Sequence, residues 1–236
     1  MRRARHAWPA CALAVAACRS GTGEAARATS TPNTPGIEST TDRRHDIRDS
    51  QWMITAGRFG PLTAESGEAD LRRLFGSAVV KPERIHLGEG EFWPGTVLFP
   101  DDSIRLVEIT WQDTLERRKP WRATVRGRRS AWHVNGQIEL GTTLQELQRL
   151  NGKPFTMSGY GWDYGGRVMD WNGGVLDTTL QRNGYRIGFS LDTDSAGRET
   201  EARSQISGDR PFSSSLPALQ ELNPSIWEIF LDFPEP

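Results

Sequence analysis

A short helical stretch closed by glycine and followed by glycine-punctuated strands occurs twice in this chain. That approximate repeat constrains the fold more than any other feature. The first copy runs from Phe59-Gly60-Pro61-Leu62 to Leu71-Arg72-Arg73-Leu74-Phe75-Gly76, and the second from Ile138-Glu139-Leu140-Gly141 to Leu147-Gln148-Arg149-Leu150-Asn151-Gly152. Glycine suits both helix ends because it enters the left-handed C-terminal position without a Cβ clash. In the second copy Thr143 and Glu146 have capping-box spacing, and Leu144, Leu147 and Leu150 share one helical face.

Strands are expected after each helix. Gly165-Gly166, Asn172-Gly173 and Asn183-Gly184 suit two-residue hairpin turns, whose central positions need positive φ. They divide the second copy into strands near 156–164, 167–171, 174–180 and 185–191. In the first copy, Gly88-Glu89-Gly90 and Pro100-Asp101-Asp102-Ser103 separate strands ending in Ile104 to Trp111, where Ile109 and Trp111 alternate as Ile187, Phe189 and Leu191 do later. A final segment sets Ile226, Glu228, Phe230 and Asp232 against Trp227, Ile229 and Leu231, the pattern of a closing strand. The expected fold is α+β, with two tandem repeats, each a short helix followed by an antiparallel β-meander, and with helices on one face of a sheet. Repeat one spans about 53–115, a connector 116–131, and repeat two about 132–236.

The N-terminus sets an address. Arg2, Arg3 and Arg5 precede an apolar run from Ala7 to Ala17, too short for a bilayer span of about 20 residues. The run ends in Val15-Ala16-Ala17-Cys18. A charged start, a short apolar core and small residues at the cleavage point read as a removable export signal. The last four residues resemble a bacterial lipoprotein signal. That resemblance implies lipidation at Cys18 and removal of residues 1–17. Arg19 follows the cysteine in place of an inner-membrane retention aspartate, so the address implied is the periplasmic face of the outer membrane. The one other cysteine, Cys11, lies inside the signal, so no disulfide framework is expected. Residues 19–50 are rich in Ser, Thr, Ala, Gly, Pro and charge without apolar periodicity, and read as a disordered tether. A flexible chain of this length spans about 30 Å. Loss of the three signal arginines leaves 26 of the 29 Lys+Arg against 30 Asp+Glu. That balance provides no field for nucleic acid or an anionic membrane surface. The membrane partner is reached through the N-terminal lipid.

Leu140-Gly141-Thr142-Thr143 and Leu150-Asn151-Gly152-Lys153-Pro154 are similar to the core motif of the small outer-membrane assembly lipoproteins of the BamE or SmpA type. The doubled helix-and-meander plan resembles the tandem-repeat fold of the β-lactamase-inhibitor-protein type. The second copy also looks like uncharacterised bacterial lipoproteins. The first copy departs from the motif with Gly60-Pro61-Leu62-Thr63, and Trp162-Asp163-Tyr164-Gly165-Gly166 belongs to neither pattern. The resemblance implies action by binding protein partners, and it carries over no catalytic residue.

Catalytic and metal signatures are missing. Beyond the signal, the histidines are His45, His86 and His133, and no zincin, nucleophile-elbow or phosphate-loop motif occurs. His133, beside Trp132, reads as a strand-end side chain. Neither cofactor nor metal is expected.

If 156–180 is a run of hairpins, Tyr160, Trp162, Tyr164, Met169, Trp171 and Leu176 share a face. That face is either an aromatic platform for a partner protein or a sugar ring, or the core beneath Leu144, Leu147 and Leu150. Asp163, Asp170 and Asp177 then fall on the opposite face, as a cluster for acid/base hydrolysis or a hard cation, or as a solvated surface, the reading preferred here. Arg117, Arg118, Lys119, Arg122, Arg126, Arg128 and Arg129 form a basic run flanked by Trp121 and Trp132. It reads as a contact for an anionic partner, or as a solvated hairpin that pairs with the aspartates. The binding candidates are therefore Tyr160, Trp162, Tyr164, Trp171, Arg122 and Arg126. The leading functional expectation is non-enzymatic binding to another envelope protein. The alternative is a hydrolase of envelope polysaccharide working through the aspartates.

Overall fold

The computed structural model describes residues 51–193 and 200–235; the export signal, Cys18 and the tether lie outside the described residues. The fold is mixed α+β with strands dominating and most strand pairs antiparallel.

Two segments of the chain open alike, on two short strands and a helix. β1 (Met53–Thr55) and β2 (Arg58–Phe59) precede α1 (Glu68–Phe75); β7 (His133–Val134) and β8 (Ile138–Glu139) precede α2 (Leu144–Asn151). The two openings meet: β1 pairs with β7 in parallel, Met53 opposite His133 and Ile54 opposite Val134. His133 does sit in a short strand, where its Nδ1 accepts the Gly136 N–H. The capping box of α2 is present as spaced. Thr143 Oγ1 accepts from Glu146 N at 3.3 Å, and Glu146 Oε2 accepts from Thr143 N at 2.8 Å. Gly152 closes the helix with φ 77°.

After α1 the chain forms a continuous meander of β3 (Val80–Gly88), β4 (Glu91–Leu98), β5 (Val107–Asp113) and β6 (Arg118–Arg126). These four join β11 (Gln181–Arg182), β12 (Tyr185–Asp192) and β14 (Ser225–Asp232) in a seven-stranded antiparallel sheet of order β11-β12-β14-β6-β5-β4-β3. The run 116–131 is therefore no solvated hairpin between halves. It contains β6, paired on both edges by β5 and β14. Strand β3 forms one edge of this sheet and carries Pro82 in mid-strand; the other edge is the two-residue β11. The Asn183-Gly184 turn joins β11 to β12 with φ of 50° and 82°, and Arg182 pairs directly with Tyr185.

The second copy departs from a hairpin run. β9 (Thr156–Ser158) ends well before residue 164, and it forms a small sheet with β10 (Val168–Asp170) and β13 (Pro211–Ser213). The strand expected at 174–180 is instead the helix α3 (Val175–Thr179). The cause is Asn151, fully buried at the end of α2. Its amide donates to Lys153 O and Trp171 O at 3.0 Å each, and its Oδ1 accepts from Leu176 N at 3.2 Å. Gly174 lies so close that any Cβ would stand 2.1 Å from that Oδ1. A buried amide satisfied by three backbone groups turns the chain where a hairpin strand would have left it unpaired.

One face of the main sheet is the core. Ile109, Val125, Ile187, Phe189, Ile229 and Leu231 point into it and meet Leu71 from α1 and Leu144 and Leu147 from α2. Each such side chain contributes about 1.5–3 kcal/mol on full burial. Two further short helices, α4 (Glu201–Gln205) and α5 (Pro217–Leu222), complete that side. On the same face Glu68, at the start of α1, is buried. It accepts from Thr96 Oγ1 at 2.6 Å and from Arg72 Nη2 at 2.7 Å, and Trp111 Nε1 donates to that Thr96 hydroxyl at 2.9 Å.

Candidate functional site

The opposite face of the main sheet is polar, as strand alternation requires of a sheet with one core side. Its central residues are Glu108 and Thr110 on β5, Arg122, Thr124 and Arg126 on β6, Glu228, Phe230 and Asp232 on β14, and Arg186, Gly188 and Ser190 on β12. Register sets Glu228 between Arg126 and Ser190, and Phe230 between Thr124 and Gly188. Phe230 is apolar on a polar face, yet it is almost completely enclosed. Its ring lies against Gly188, where an added Cβ would stand 2.1 Å from Cζ. The guanidinium carbons of Arg122 and Arg167 cover it at 4.4 and 4.8 Å from the centroid. Cation–π stacking of this kind contributes about 0.5–2 kcal/mol.

Around that ring the charges are matched. Arg122 Nε binds Asp232 Oδ1 at 2.5 Å, and Arg186 Nη2 binds Asp232 Oδ2 at 2.7 Å. Arg126 donates to Glu108 Oε2 and, at 2.6 Å, to Glu228 Oε2. Glu228, 4% exposed, also accepts from Ser190 Oγ at 3.0 Å and Arg167 Nη2 at 3.2 Å. Burial lowers the Arg167 pKa, and the charge of Glu228 opposes that shift. Nε of Arg167 is enclosed without a hydrogen-bond partner.

The roof of this face is the 159–167 segment. It is pinned at both ends: Ser158 N donates to Arg167 O, and Leu191 N donates to Gly166 O at 2.9 Å. Ser158 Oγ donates to Tyr164 O at 2.7 Å, and Trp162 Nε1 to Gly159 O at 3.1 Å. Tyr164 rests on the β3–β4 turn, where a Cβ on Gly88 would come 3.0 Å from its hydroxyl oxygen; the neighbouring Glu89 N–H donates to Asp163 Oδ2. The cleft beneath has a volume of about 280 Å³ and is walled by Arg126, Glu228, Tyr164, Arg167, His86 and Trp227, among others.

Of the six binding candidates, the structure brings Tyr164, Arg122 and Arg126 together at this cleft, with Trp162 beside them. The Trp162 ring meets Tyr164 edge-on at 5.4 Å and is 40% exposed. Tyr160 and Trp171 are elsewhere. Trp171 is in the core against Phe155 and Phe189, with ring centroids 5.1 and 6.0 Å away. Tyr160 is buried with its hydroxyl unpaired, and burial, reinforced by Asp192, raises its pKa. The shared aromatic face is thus split, because 159–167 is a looped roof and not a strand: Tyr160, Trp171 and Leu176 are buried, while Trp162 and Met169 are exposed.

The aspartate face separates too, because 159–167 is a loop and 175–179 a helix. Asp163 is tied to the β3–β4 turn, Asp170 Oδ1 accepts from Asn172 N, and Asp177 on α3 accepts from Gln181. Among the described residues no cluster of histidine, cysteine or carboxylate side chains has metal-binding geometry. The carboxylates that answer Arg122 and Arg126 are instead Asp232, Glu108 and Glu228, while Arg117 of the same run meets Glu68 at 3.5 Å. Sequence reasoning missed Glu108, Arg167, Glu228 and Asp232 as members of the site. For Glu228 the signal was its place beside Phe230 and Asp232 on the closing strand: an aromatic in the polar register of a strand marks a face that something covers. Comparison with family models, curated proteins and solved structures finds no match to this chain.

Proposed function

We propose that this chain is a lipid-anchored protein of the cell envelope, held through Cys18 at the periplasmic face of the outer membrane, and that its body binds a ligand without transforming it. The observation that carries the binding reading is the cleft beneath 159–167. Its roof is fixed by backbone and side-chain bonds, its floor is a closed set of ion pairs, and aromatic surface stands at its mouth. A preformed polar concavity of this kind loses little entropy when it is filled.

The hydrolase alternative loses its basis in the aspartates. Acid/base cleavage of a glycosidic bond needs two carboxylates facing one bond at a definite separation. Asp163, Asp170 and Asp177 are instead each engaged locally, with Glu89 N, Asn172 N and Gln181 respectively. The tandem-repeat reading is supported by the matching openings, β1-β2-α1 and β7-β8-α2, that lie side by side through the β1–β7 pair.

The test is crosslinking in cells from a photoreactive residue at position 162, comparing the lipidated protein with Cys18→Ala. The expected result is one dominant adduct that disappears when the anchor is lost and when Tyr164 is changed to alanine. Equal, scattered adducts from both forms would refute the binding reading.

A further inference from the structure

The cleft is polar, yet it carries no surplus of either charge. Every guanidinium in it already faces a carboxylate: Arg122 meets Asp232, Arg126 meets Glu108 and Glu228, and Arg167 meets Glu228. An anion entering here competes with carboxylates already seated, and a cation competes with the arginines. An apolar ligand strands both sets without water. A hydroxyl group meets neither obstacle. It donates and accepts at once, so it can accept from a guanidinium and donate to the carboxylate beside it without breaking the pair.

The cleft also has neighbours that share lining residues with it. At about 280 Å³ the cleft lies at the lower end of small-ligand sites. A second depression of about 330 Å³ shares Asp163 and Trp227 with it and is lined by Trp162. A third, of about 500 Å³, shares Trp227 and Asp192 with the second. Three adjoining depressions pass one tryptophan, with a second indole exposed beside them. Aromatic faces of this kind offer flat apolar contact to the C–H side of a ring whose edge is hydroxylated.

We infer that this groove binds a neutral oligosaccharide, with one sugar unit in the Arg126 cleft and the following units running past Trp227. The inference rests on reading the cleft as a binding site and names the ligand class of that site. It explains why the exposed indole, the matched charges and the series of depressions occur on one surface.

The experiment is isothermal titration calorimetry of the full-length lipidated protein in detergent micelles. The probes are the hexamer of N-acetylglucosamine, cellohexaose and maltohexaose, with the corresponding monosaccharides and polygalacturonate beside them. The expected result is saturable binding of at least one neutral hexamer, at least tenfold tighter than its monosaccharide. Trp162→Ala should weaken it fivefold or more while the urea curve still shows a fully folded body under the titration conditions, and Arg126→Gln should abolish it. If Arg126→Gln unfolds the body, the Trp162 variant alone decides. Silence of all three hexamers, or tighter binding of polygalacturonate, overturns the inference. If the hexamers are silent while position 162 crosslinks a protein in cells, the glycan class is wrong and the binding reading stands. If the hexamers are silent and no specific adduct forms, both fall.

Discussion

Glu228→Gln is the substitution that most directly probes the floor of the cleft. It keeps shape and volume and removes only charge and one acceptor. Glu228 receives Arg126 at 2.6 Å, Ser190 at 3.0 Å and Arg167 at 3.2 Å. Hydrogen bonds to charged groups contribute roughly 1.5–3 kcal/mol against 0.5–1.5 kcal/mol for neutral ones, so the two arginine bonds together lose about 2 kcal/mol. All three partners are donors, so the new amide N–H₂ faces a donor whichever way it turns, which adds about 1 kcal/mol or more. Against this, the arginine side chains are 34% and 25% exposed, and water recovers part of the loss. The net expectation is about 2–3 kcal/mol of destabilisation. In a body of this size that lowers Tm by roughly 5–10 °C. Urea denaturation followed by tryptophan fluorescence measures it, with Glu108→Gln as the comparison. Glu108 is 28% exposed and bonded to Arg126 alone among the ion pairs, so its loss should cost less than about 1 kcal/mol. A cost below about 1 kcal/mol for Glu228→Gln, or equal costs for the two variants, would refute the assignment of Glu228 as the buried hub.

Gly188→Ala should destabilise by about 1–3 kcal/mol through overpacking against the Phe230 ring, read as a lowered urea midpoint; an unchanged midpoint would mean that the ring is free to move. Thr143→Ala removes the N-cap acceptor of α2 and should cost about 1 kcal/mol, while Thr143→Ser should restore most of it. The Thr143 N–H holds the Glu146 carboxyl below its ordinary value of 4.5. Its folded pKa is depressed, so its contribution to stability is present above pH 4.5 and fades as pH falls through the lowered folded value. Glu146→Gln should flatten that part of the acid-side stability profile, and an identical acid slope in both proteins would show that the cap does not titrate.

Local chemistry made much of the fold legible. Thr143, Glu146 and Gly152 delimit α2 from within the helix itself, Asn183-Gly184 sets a two-residue turn, and the closing strand shows its period of two. The region 159–180 was not legible, because its course depends on a residue outside it. Asn151 is an unremarkable amide in the sequence and becomes a buried three-way anchor only when residues 171–176 reach it. The site was half legible on the same principle. Arg122 and Arg126 stand out as charges and Trp162 and Tyr164 as aromatics. That Glu108 and Glu228 answer the arginines is a matter of register between strands up to about a hundred residues apart, which periodicity in one segment does not encode.

An open sheet edge is where copies of one chain can fuse into a shared β-sheet. Strand β3, nine residues long, is that edge. Pro82 takes away a donor that an added strand would use, and Lys81, Glu83 and Arg84 around it are exposed and of mixed sign. At the far side the two-residue β11 is too short to template pairing. Self-association through this sheet is therefore discouraged at both ends, so copies held close together by the proposed lipid anchor would not fuse edge to edge.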